Sequence, residues 1–120
     1  MAKKILLIED YEILAKIPMM KITAAGYEAR AVASVEEAEK LGSFAADLLI
    51  VDHGLEGKQG IDSIPILKKV FPKAKIVILS NFTSDERRKE AAEKGAVDFW
   101  SKMDLPFNKL IERVEKVLAD

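Results

Sequence analysis

Short apolar runs alternate along the chain with segments in which apolar residues recur at helical spacing. Three runs are continuously apolar, at Ile5–Ile8, Leu48–Val51 and Ile76–Leu79. Runs of this length that are rich in Ile, Leu and Val are typical of strands buried on both faces of a parallel sheet. Two weaker strand candidates are Ala29–Val32 and Ala96–Trp100. The pattern therefore predicts five strands, each followed by a helical segment.

The segment after the first run carries the periodicity of a helix. Ile13, Ile17 and Met20 recur at helical spacing before Gly26, a residue type that commonly follows a helix C-terminus. Pro18 lies inside this segment, where it removes one backbone hydrogen bond. We interpret Pro18 as a tolerated kink in the first helix.

Capping residues mark the boundaries of the later helices. Ser34 is followed three residues later by Glu37, which is the capping-box pattern. Ser63 is a candidate cap for the third helix. Ser84 precedes the fourth helix and Gly95 follows it. A fifth helix is indicated by an apolar face at positions 110, 111, 114, 117 and 118.

Strands that alternate with helices imply a parallel sheet with helices on both faces. We therefore expect an α/β fold of five strand–helix units joined by right-handed crossovers. The expected strand order is 2-1-3-4-5, the flavodoxin-like three-layer sandwich, and this order is adopted from known folds rather than derived from the residues. With 120 residues and no linker or repeat, positions 1–120 are expected to form a single domain with no output domain.

Composition limits the chemistry that this domain can perform. The net charge of −1 gives no general reason to expect nucleic acid or an anionic membrane as a partner. The chain has no cysteine and a single histidine, His53, so thiolate chemistry and a zinc site of several histidines are excluded. No apolar run approaches the roughly 20 residues of a membrane span. We therefore expect a soluble protein located in the cytoplasm.

Polar side chains follow four of the predicted strands. They are Glu9 and Asp10 after strand 1, Asp52 after strand 3, Ser80 after strand 4 and Lys102 just beyond strand 5. Because the carboxyl ends of parallel strands meet at one edge of the sheet, we expect these five residues to converge. Each alone has a plainer interpretation as a helix cap, a turn residue or a solvated surface group. Their joint placement favours a functional site.

The chemistry of the five residues is coherent. Clustered carboxylates repel one another and raise one another's pKa values, and a divalent cation removes that penalty. Hard oxygen ligands suit Mg²⁺, which binds through one or two carboxylates plus a phosphate. A carboxylate such as Asp52 is a competent nucleophile toward phosphorus. Ser80 and Lys102 can donate hydrogen bonds to phosphoryl oxygens.

At this point the sequence resembles the receiver domains of bacterial two-component response regulators, over essentially its whole length. The matching segments, in chain order, are Ile-Leu-Leu-Ile-Glu9-Asp10, Asp47-Leu-Leu-Ile-Val-Asp52, Gly60, Ile-Val-Ile-Leu-Ser80 and Gly95-Ala-Val-Asp-Phe99-Trp-Ser-Lys102. The resemblance implies that Asp52 accepts a phosphoryl group from the phosphohistidine of a sensor histidine kinase or a histidine phosphotransferase. It implies a Mg²⁺ site whose ligands are Glu9, Asp10, Asp52 and the backbone carbonyl of Gly54.

The resemblance also implies a switch. Ser80 would follow the phosphoryl group, Lys102 would pair with it, and Phe99 would occupy the aromatic switch position. Ser80 and Phe99 would move together and remodel the surface formed by the fourth helix, the fifth strand and the fifth helix. Such a receiver is a stoichiometric switch that assists its own phosphorylation and dephosphorylation rather than a turnover enzyme. Its partners would be the phosphodonor and a downstream protein target, and phosphorylation-dependent homodimerisation is left open.

Four positions depart from the family pattern. Glu9 replaces the more usual aspartate, and Glu56 stands where the loop after the phosphoacceptor often has proline. Asn81 stands where a small residue is usual, and Met103 replaces the proline that often follows the lysine. The departures at Asn81 and Met103 keep an alternative open, a non-phosphorylated pseudo-receiver that acts as a protein-interaction module.

Two further classes fit the sequence less well. A flavin-binding protein of the same fold needs a phosphate cradle rich in backbone donors after strand 1, whereas this loop begins with Glu9 and Asp10. A phosphatase that used Asp52 would typically need a second acid two residues on, where this chain has Gly54. His53 is adjacent to Asp52 but faces the other side of the strand, so we interpret it as structural or surface-facing rather than as a phosphate carrier.

Overall fold

The computed structural model describes residues 2–53, 59–81, 84–102 and 107–119. Within them, the strands are β1 (Lys4–Ile8), β2 (Glu28–Val32), β3 (Leu48–His53), β4 (Lys75–Ser80) and β5 (Asp98–Ser101). The α-helices are α1 (Glu12–Ala24), α2 (Val35–Glu39), α3 (Gln59–Asp62), α4 (Ile64–Val70), α5 (Asp85–Lys94) and α6 (Phe107–Ala119). None of these helices combines the length and the apolar composition that a membrane span requires.

All five strands run parallel in one sheet of order β2-β1-β3-β4-β5. This order confirms the flavodoxin-like α/β fold expected from the sequence. The register pairs Asp52 with Leu79 and His53 with Ser80 across β3 and β4. Ser80 is paired in turn with Ser101 of β5. The polar residues that follow the apolar runs therefore lie side by side at the carboxyl edge of the sheet.

The sheet separates two apolar cores. The core beneath α1 and α6 contains Ile50 of β3 and Trp100, which is fully buried as expected for a core residue. The core beneath α2, α3, α4 and α5 contains Val51 of β3 and Phe99. Because side chains alternate along a strand, Asp52 continues the row that faces α1 and α6, and the residue after it faces the other core.

At the opposite edge of the sheet, Asp47 joins the start of β3 to the start of β1. Its Oδ2 accepts a hydrogen bond from the backbone N–H of Lys4 at 2.8 Å, and its own N–H donates to the Lys4 carbonyl at 2.7 Å. Lys73 Nζ lies 3.4 Å from Asp47 Oδ1. This acid therefore has a structural role far from the polar edge.

The face of α1 that packs against the sheet is not the face on which Ile13, Ile17 and Met20 recur at helical spacing. Ala15, Pro18 and Ile22 are buried against the sheet. Ile13 and Met20 are 76% and 68% exposed. The periodicity therefore predicted the helix correctly, but it followed the solvent side of a helix that has apolar residues on two faces as well as charged residues at Glu12, Lys16 and Lys21. Pro18 lies within the helix, which continues past it.

Three predicted serines stand at N-cap positions, and two of them make a capping hydrogen bond, whereas Ser63, which precedes α4, makes none with its side chain. Ser34 Oγ accepts from the N–H of Glu37 at 3.1 Å, and Ser84 Oγ accepts from the N–H of Arg87 at 3.1 Å. Both serines are N-caps, as the sequence predicted. Ser63 instead has helical backbone angles, and its hydroxyl donates to the Gly60 carbonyl at 2.7 Å. The third predicted helix is consequently divided into α3 and α4 around this turn.

Candidate functional site

Three carboxylates meet at the carboxyl edge of the sheet. Glu9 and Asp10 follow β1 directly, and Asp52 lies near the end of the neighbouring strand β3. One oxygen from each lies within 4.8 Å of the others. The side chains of Glu9 and Asp52 are only 4% and 5% exposed, whereas Asp10 is exposed. The site therefore has two buried acids beneath one acid that is open to solvent.

Lys102 is the cation that faces the two buried acids. Its Nζ lies 2.5 Å from Asp52 Oδ1 and 3.4 Å from Glu9 Oε2. The backbone N–H of Lys102 donates to the Ser80 carbonyl at 2.8 Å, which ties the end of β5 to the end of β4. The lysine is thus positioned through its backbone while its side chain reaches across to β3 and β1.

The contact between Lys102 and Asp52 is an ion pair rather than a directed hydrogen bond. Asp52 Oδ1 is buried, and it has no hydrogen-bond partner of acceptable geometry among the described residues, although the ammonium is close to it. A buried carboxylate oxygen without a directed donor is uncommon, and it often marks a site where another group binds.

Burial and mutual repulsion change the ionisation of this cluster. Burial, together with the negative charge of Asp52, raises the pKa of Glu9 to about 7, although the N–H of Tyr11 at 3.1 Å and the ammonium of Lys102 oppose the change. Burial alone would lower the pKa of Lys102, but the Asp52 and Glu9 carboxylates outweigh it and raise that pKa. The two buried acids therefore share one firmly protonated lysine.

The donor set fits a hard divalent cation. Three carboxylate oxygens lie within reach of a single ion, and one of the buried oxygens has no directed hydrogen bond. A cation there would also remove the repulsion that raises the pKa of Glu9. Octahedral Mg²⁺ that keeps several water ligands suits such an open, all-oxygen site. The expected backbone ligand, Gly54, lies outside the described residues.

Ser80 and Phe99 lie on the other side of the sheet from Asp52. Ser80 is fully buried at the end of β4 and is paired in register with His53. Phe99 is 7% exposed in the core beneath α5. The structure therefore places Ser80 at the same edge of the sheet as the acidic cluster but in the row that faces the other core, and it places the aromatic side chain within the core below α5. Of the family departures, Asn81 is exposed, whereas Glu56 and Met103 lie outside the described residues.

His53 is buried, so the structural interpretation of this residue is confirmed and the surface-facing one is wrong. Its side chain is packed beneath α3, where its Nδ1 accepts a hydrogen bond from the N–H of Ile61 at 3.2 Å. Its Nε2 lies 2.9 Å from Arg87 Nη1. Burial, followed by the positive charge of Arg87, lowers the pKa of His53. The alternation of side chains along a strand predicted which side of the sheet His53 faces. No signal in the sequence indicated its contact with Arg87, which lies 34 positions further along the chain.

A parallel sheet of order 2-1-3-4-5 with an acidic pair, a strand-3 aspartate and a lysine at its carboxyl edge defines the class of receiver domains. The response regulator receiver domain family matches residues 5–115. The chain belongs to this family, which confirms the resemblance seen in the sequence. Receiver domains of the family generally bind Mg²⁺ at an acidic pocket and interact with histidine kinases and downstream effectors.

Relatives and solved structures agree with this assignment. The chemotaxis protein CheY of Thermotoga maritima is 31% identical over 119 residues, which cover 98% of each chain. The fold is that of a response regulator from Thermotoga maritima, with a TM-score of 0.89, 21% identity and full coverage of both chains. A response regulator from Burkholderia pseudomallei, solved with a phosphorylated aspartic acid, a calcium ion and citrate, is 25% identical with a TM-score of 0.79. That match covers 98% of this chain and 75% of the other.

Proposed function

We propose that this protein is a phosphoacceptor receiver in which Asp52 takes a phosphoryl group from a histidine kinase or a histidine phosphotransferase, with Mg²⁺ bound by Glu9, Asp10 and Asp52. One observation carries the proposal. Asp52 Oδ1 is buried, lacks a directed hydrogen bond and lies 2.5 Å from Lys102 Nζ within a cluster of three carboxylates. The phosphorylated aspartic acid and calcium ion of the Burkholderia pseudomallei regulator show that a similar fold supports both groups.

The chemistry is a phosphoryl transfer between two protein side chains. A carboxylate oxygen of Asp52 attacks phosphorus, the P–N bond to the donor imidazole breaks, and the imidazole leaves with the electron pair and takes up a proton. The product is an acyl phosphate. Bound Mg²⁺ would supply neutralisation of the charge on the transferring group. Attack by water on phosphorus later releases inorganic phosphate and restores the carboxylate.

Lys102, Ser80 and Glu9 would each have a separate role around Asp52. Lys102, whose backbone is hydrogen bonded to Ser80, can exchange its contact with Asp52 for one with a phosphoryl oxygen. Ser80 would donate its hydroxyl to a second phosphoryl oxygen. Glu9, whose pKa is raised to about 7 by burial, would lose its proton more readily when the cation binds. Each residue then acts on the same group from a different strand.

The phosphorylated state would alter the surface of α5, β5 and α6. Phosphorylation adds about −1.5 to −2 charge units and three strong acceptors. Moving a two-state surface from mostly one form to mostly the other takes about 5.5 kcal/mol of differential interaction. A phosphoryl group held by Lys102, Ser80 and a cation would contribute to that energy, with Phe99 as the residue that changes position. The altered surface would then bind a downstream protein, and positions 1–120 would act as one receiver unit.

Intact mass after incubation with acetyl phosphate tests the proposal. We expect one added phosphoryl group that requires Mg²⁺ and is absent from Asp52→Asn. Asp47→Asn is the matched control, because it makes the same change at the opposite edge of the sheet and should leave phosphorylation intact. If no adduct forms and the stable analogue beryllofluoride does not bind either, the protein is a non-phosphorylated interaction module and the proposal is wrong.

A further inference from the structure

The first turn of α5 carries two consecutive arginines that reach different strands. Adjacent residues of a helix point about 100° apart, so neighbouring side chains can contact separate partners. Arg87 approaches His53 at the end of β3, and Arg88 approaches Phe99 in β5. One helical turn therefore contacts both the residue bonded to Asp52 and the residue at the aromatic position.

Arg88 contacts Phe99 in two ways. Its Nη1 donates a hydrogen bond to the Phe99 carbonyl at 3.0 Å. Its guanidinium carbon also lies 5.1 Å from the centroid of the Phe99 ring, within the range of a cation–π interaction. The ring contact requires the ring to stay buried below α5, whereas the hydrogen bond is made to the Phe99 backbone. An aromatic side chain that moved toward the surface would lose at least the ring contact.

Helix α5 buries little apolar surface against the sheet. The sequence of the helix is largely charged, and Ala91 is the single residue of α5 that is buried. A helix attached by so little apolar surface is easier to displace than one that buries a full apolar face. The polar contacts of the two arginines therefore add to this small apolar attachment, together with the ion pair at 2.7 Å between Lys94 and Asp62 of α3.

The contact of Arg87 with His53 is weakened by competition. A neutral imidazole has one N–H group and one acceptor nitrogen. His53 faces two donors, the N–H of Ile61 at 3.2 Å and the guanidinium of Arg87 at 2.9 Å. The ring can accept from only one of them at a time. The contact of Arg87 with His53 therefore competes with the hydrogen bond from Ile61 when the ring is neutral.

We propose that Arg88 is a positioning residue that stabilises the arrangement in which Asp52 is paired with Lys102 and Phe99 is buried. This inference rests on the proposed function. A phosphoryl group on Asp52 would favour a second arrangement in which Phe99 has moved, and Arg88 opposes that arrangement by holding the ring and its carbonyl. The balance between the two arrangements is thereby set in part by a side chain that does not touch the phosphoryl group.

Thermodynamic linkage predicts whether the removal of Arg88 raises or lowers the affinity for a phosphoryl analogue. If Arg88 favours the arrangement with Phe99 buried, its removal raises the affinity of the protein for a phosphoryl analogue, by at most the factor by which it shifts the equilibrium between the two arrangements. Loss of a merely structural contact would lower stability without raising that affinity. A gain in affinity is therefore a signature that damage to the fold cannot produce.

The experiment is a titration of beryllofluoride in the presence of Mg²⁺, followed by the fluorescence of Trp100, the only tryptophan of the chain. We expect Arg88→Ala to bind at least about fivefold more tightly than the unaltered protein. Lys89→Ala is the matched control, because Lys89 is exposed on the same helix and has no hydrogen bond or ion pair with residues that the structure describes. Its affinity should not change.

Arg88→Lys provides a second variant in case Arg88→Ala does not fold. It keeps a cation near the ring but cannot reproduce the guanidinium geometry, so we expect an intermediate affinity. Unchanged or weaker binding by the folded Arg88 variants would overturn this inference while leaving the proposed function standing. Failure of the unaltered protein and of Lys89→Ala to bind at all would instead overturn the proposed function.

Discussion

The ammonium nitrogen of Lys102 lies 2.5 Å from Oδ1 of Asp52 and 3.4 Å from Oε2 of Glu9. One cation thus offsets two carboxylates that are almost completely buried. A cation that binds to the same acids has to compete with this ammonium. The lysine therefore contributes to the stability of the fold, and at the same time it opposes the binding of a metal ion.

Lys102→Gln separates these two effects. Without Mg²⁺, we expect the variant to be less stable by about 2 kcal/mol at pH 8, since two buried carboxylates lose their partner; this value is discounted for the partial exposure of the lysine. We expect its Mg²⁺ affinity to rise about tenfold, because no cation competes for the site. Urea unfolding and calorimetric Mg²⁺ titration measure the two quantities. Lys109→Gln, which breaks an exposed ion pair with Glu112, is the control. Equal stability together with weaker Mg²⁺ binding would contradict the interpretation.

Glu9 should make the metal-free protein less stable as the pH rises. Its pKa is raised from 4.5 to about 7, so the folded state holds the proton more tightly than the unfolded chain does. The cost is absent below pH 4.5, grows between pH 4.5 and 7, and is complete above pH 7. We therefore expect Glu9→Gln to be more stable by about 2 kcal/mol at pH 8 in EDTA, and equally stable at pH 4.5. Glu12→Gln is the exposed control, and a gain that does not depend on pH would refute the assignment.

Asp47 should have the opposite pH dependence. Burial alone would raise its pKa, but the N–H of Lys4 and the ammonium of Lys73 outweigh burial and lower it. Its stabilisation is therefore present above the unfolded pKa of about 3.9 and is lost as the pH falls through the lower folded value. We expect Asp47→Ala to lose about 1.5 kcal/mol at pH 7. Asp47→Asn keeps an acceptor for Lys4 and should lose less. Unfolding measurements between pH 2.5 and 7 test this. The difference in the free energy of unfolding between each variant and the unaltered protein should become smaller as the pH falls.

Gly60 allows α3 to approach the end of β3. A Cβ at this position would lie 2.7 Å from His53 Nδ1 and 3.0 Å from its Cα. We expect Gly60→Ala to cost about 2 kcal/mol in the free energy of unfolding, because backbone atoms cannot move aside cheaply. Gly42→Ala is the control, since its Cβ would meet the side chain of Val70 at 3.3 Å and backbone, the Val70 carbonyl oxygen, only at the ordinary contact distance of 3.9 Å. Similar losses for the two variants would show that helix flexibility, and not the close approach, decides the effect.

The two sides of α1 should differ sharply in their contribution to stability. Ile22 is fully buried against the sheet and Met20 is largely exposed. We expect Ile22→Ala to cost about 3 kcal/mol, whereas Met20→Ala should change the free energy of unfolding by less than about 0.5 kcal/mol. Chemical unfolding of the two variants measures this directly. A larger loss at Met20 would mean that α1 packs on its other face.

Much of the fold could be read from local signals. The three continuously apolar runs became β1, β3 and β4, because a strand buried on both faces needs apolar side chains on both sides. Ser34 and Ser84 cap their helices as predicted, because the acceptor oxygen and the N–H that it binds are only three residues apart. The strand order was adopted from known folds, since nothing in the residues themselves distinguishes it from other orders.

The sequence by itself determined which residues of the candidate site would meet. Glu9, Asp52 and Lys102 follow strands, and parallel strands bring their carboxyl ends to one edge whatever their order. Tertiary packing alone decided which face of α1 is buried, because a helix with two apolar faces does not specify which of them a partner will cover. It also decided that Arg87 meets His53 and that Arg88 meets Phe99. Such contacts depend on the distance and angle between elements that lie far apart in the chain, and no periodicity or capping signal specifies those quantities.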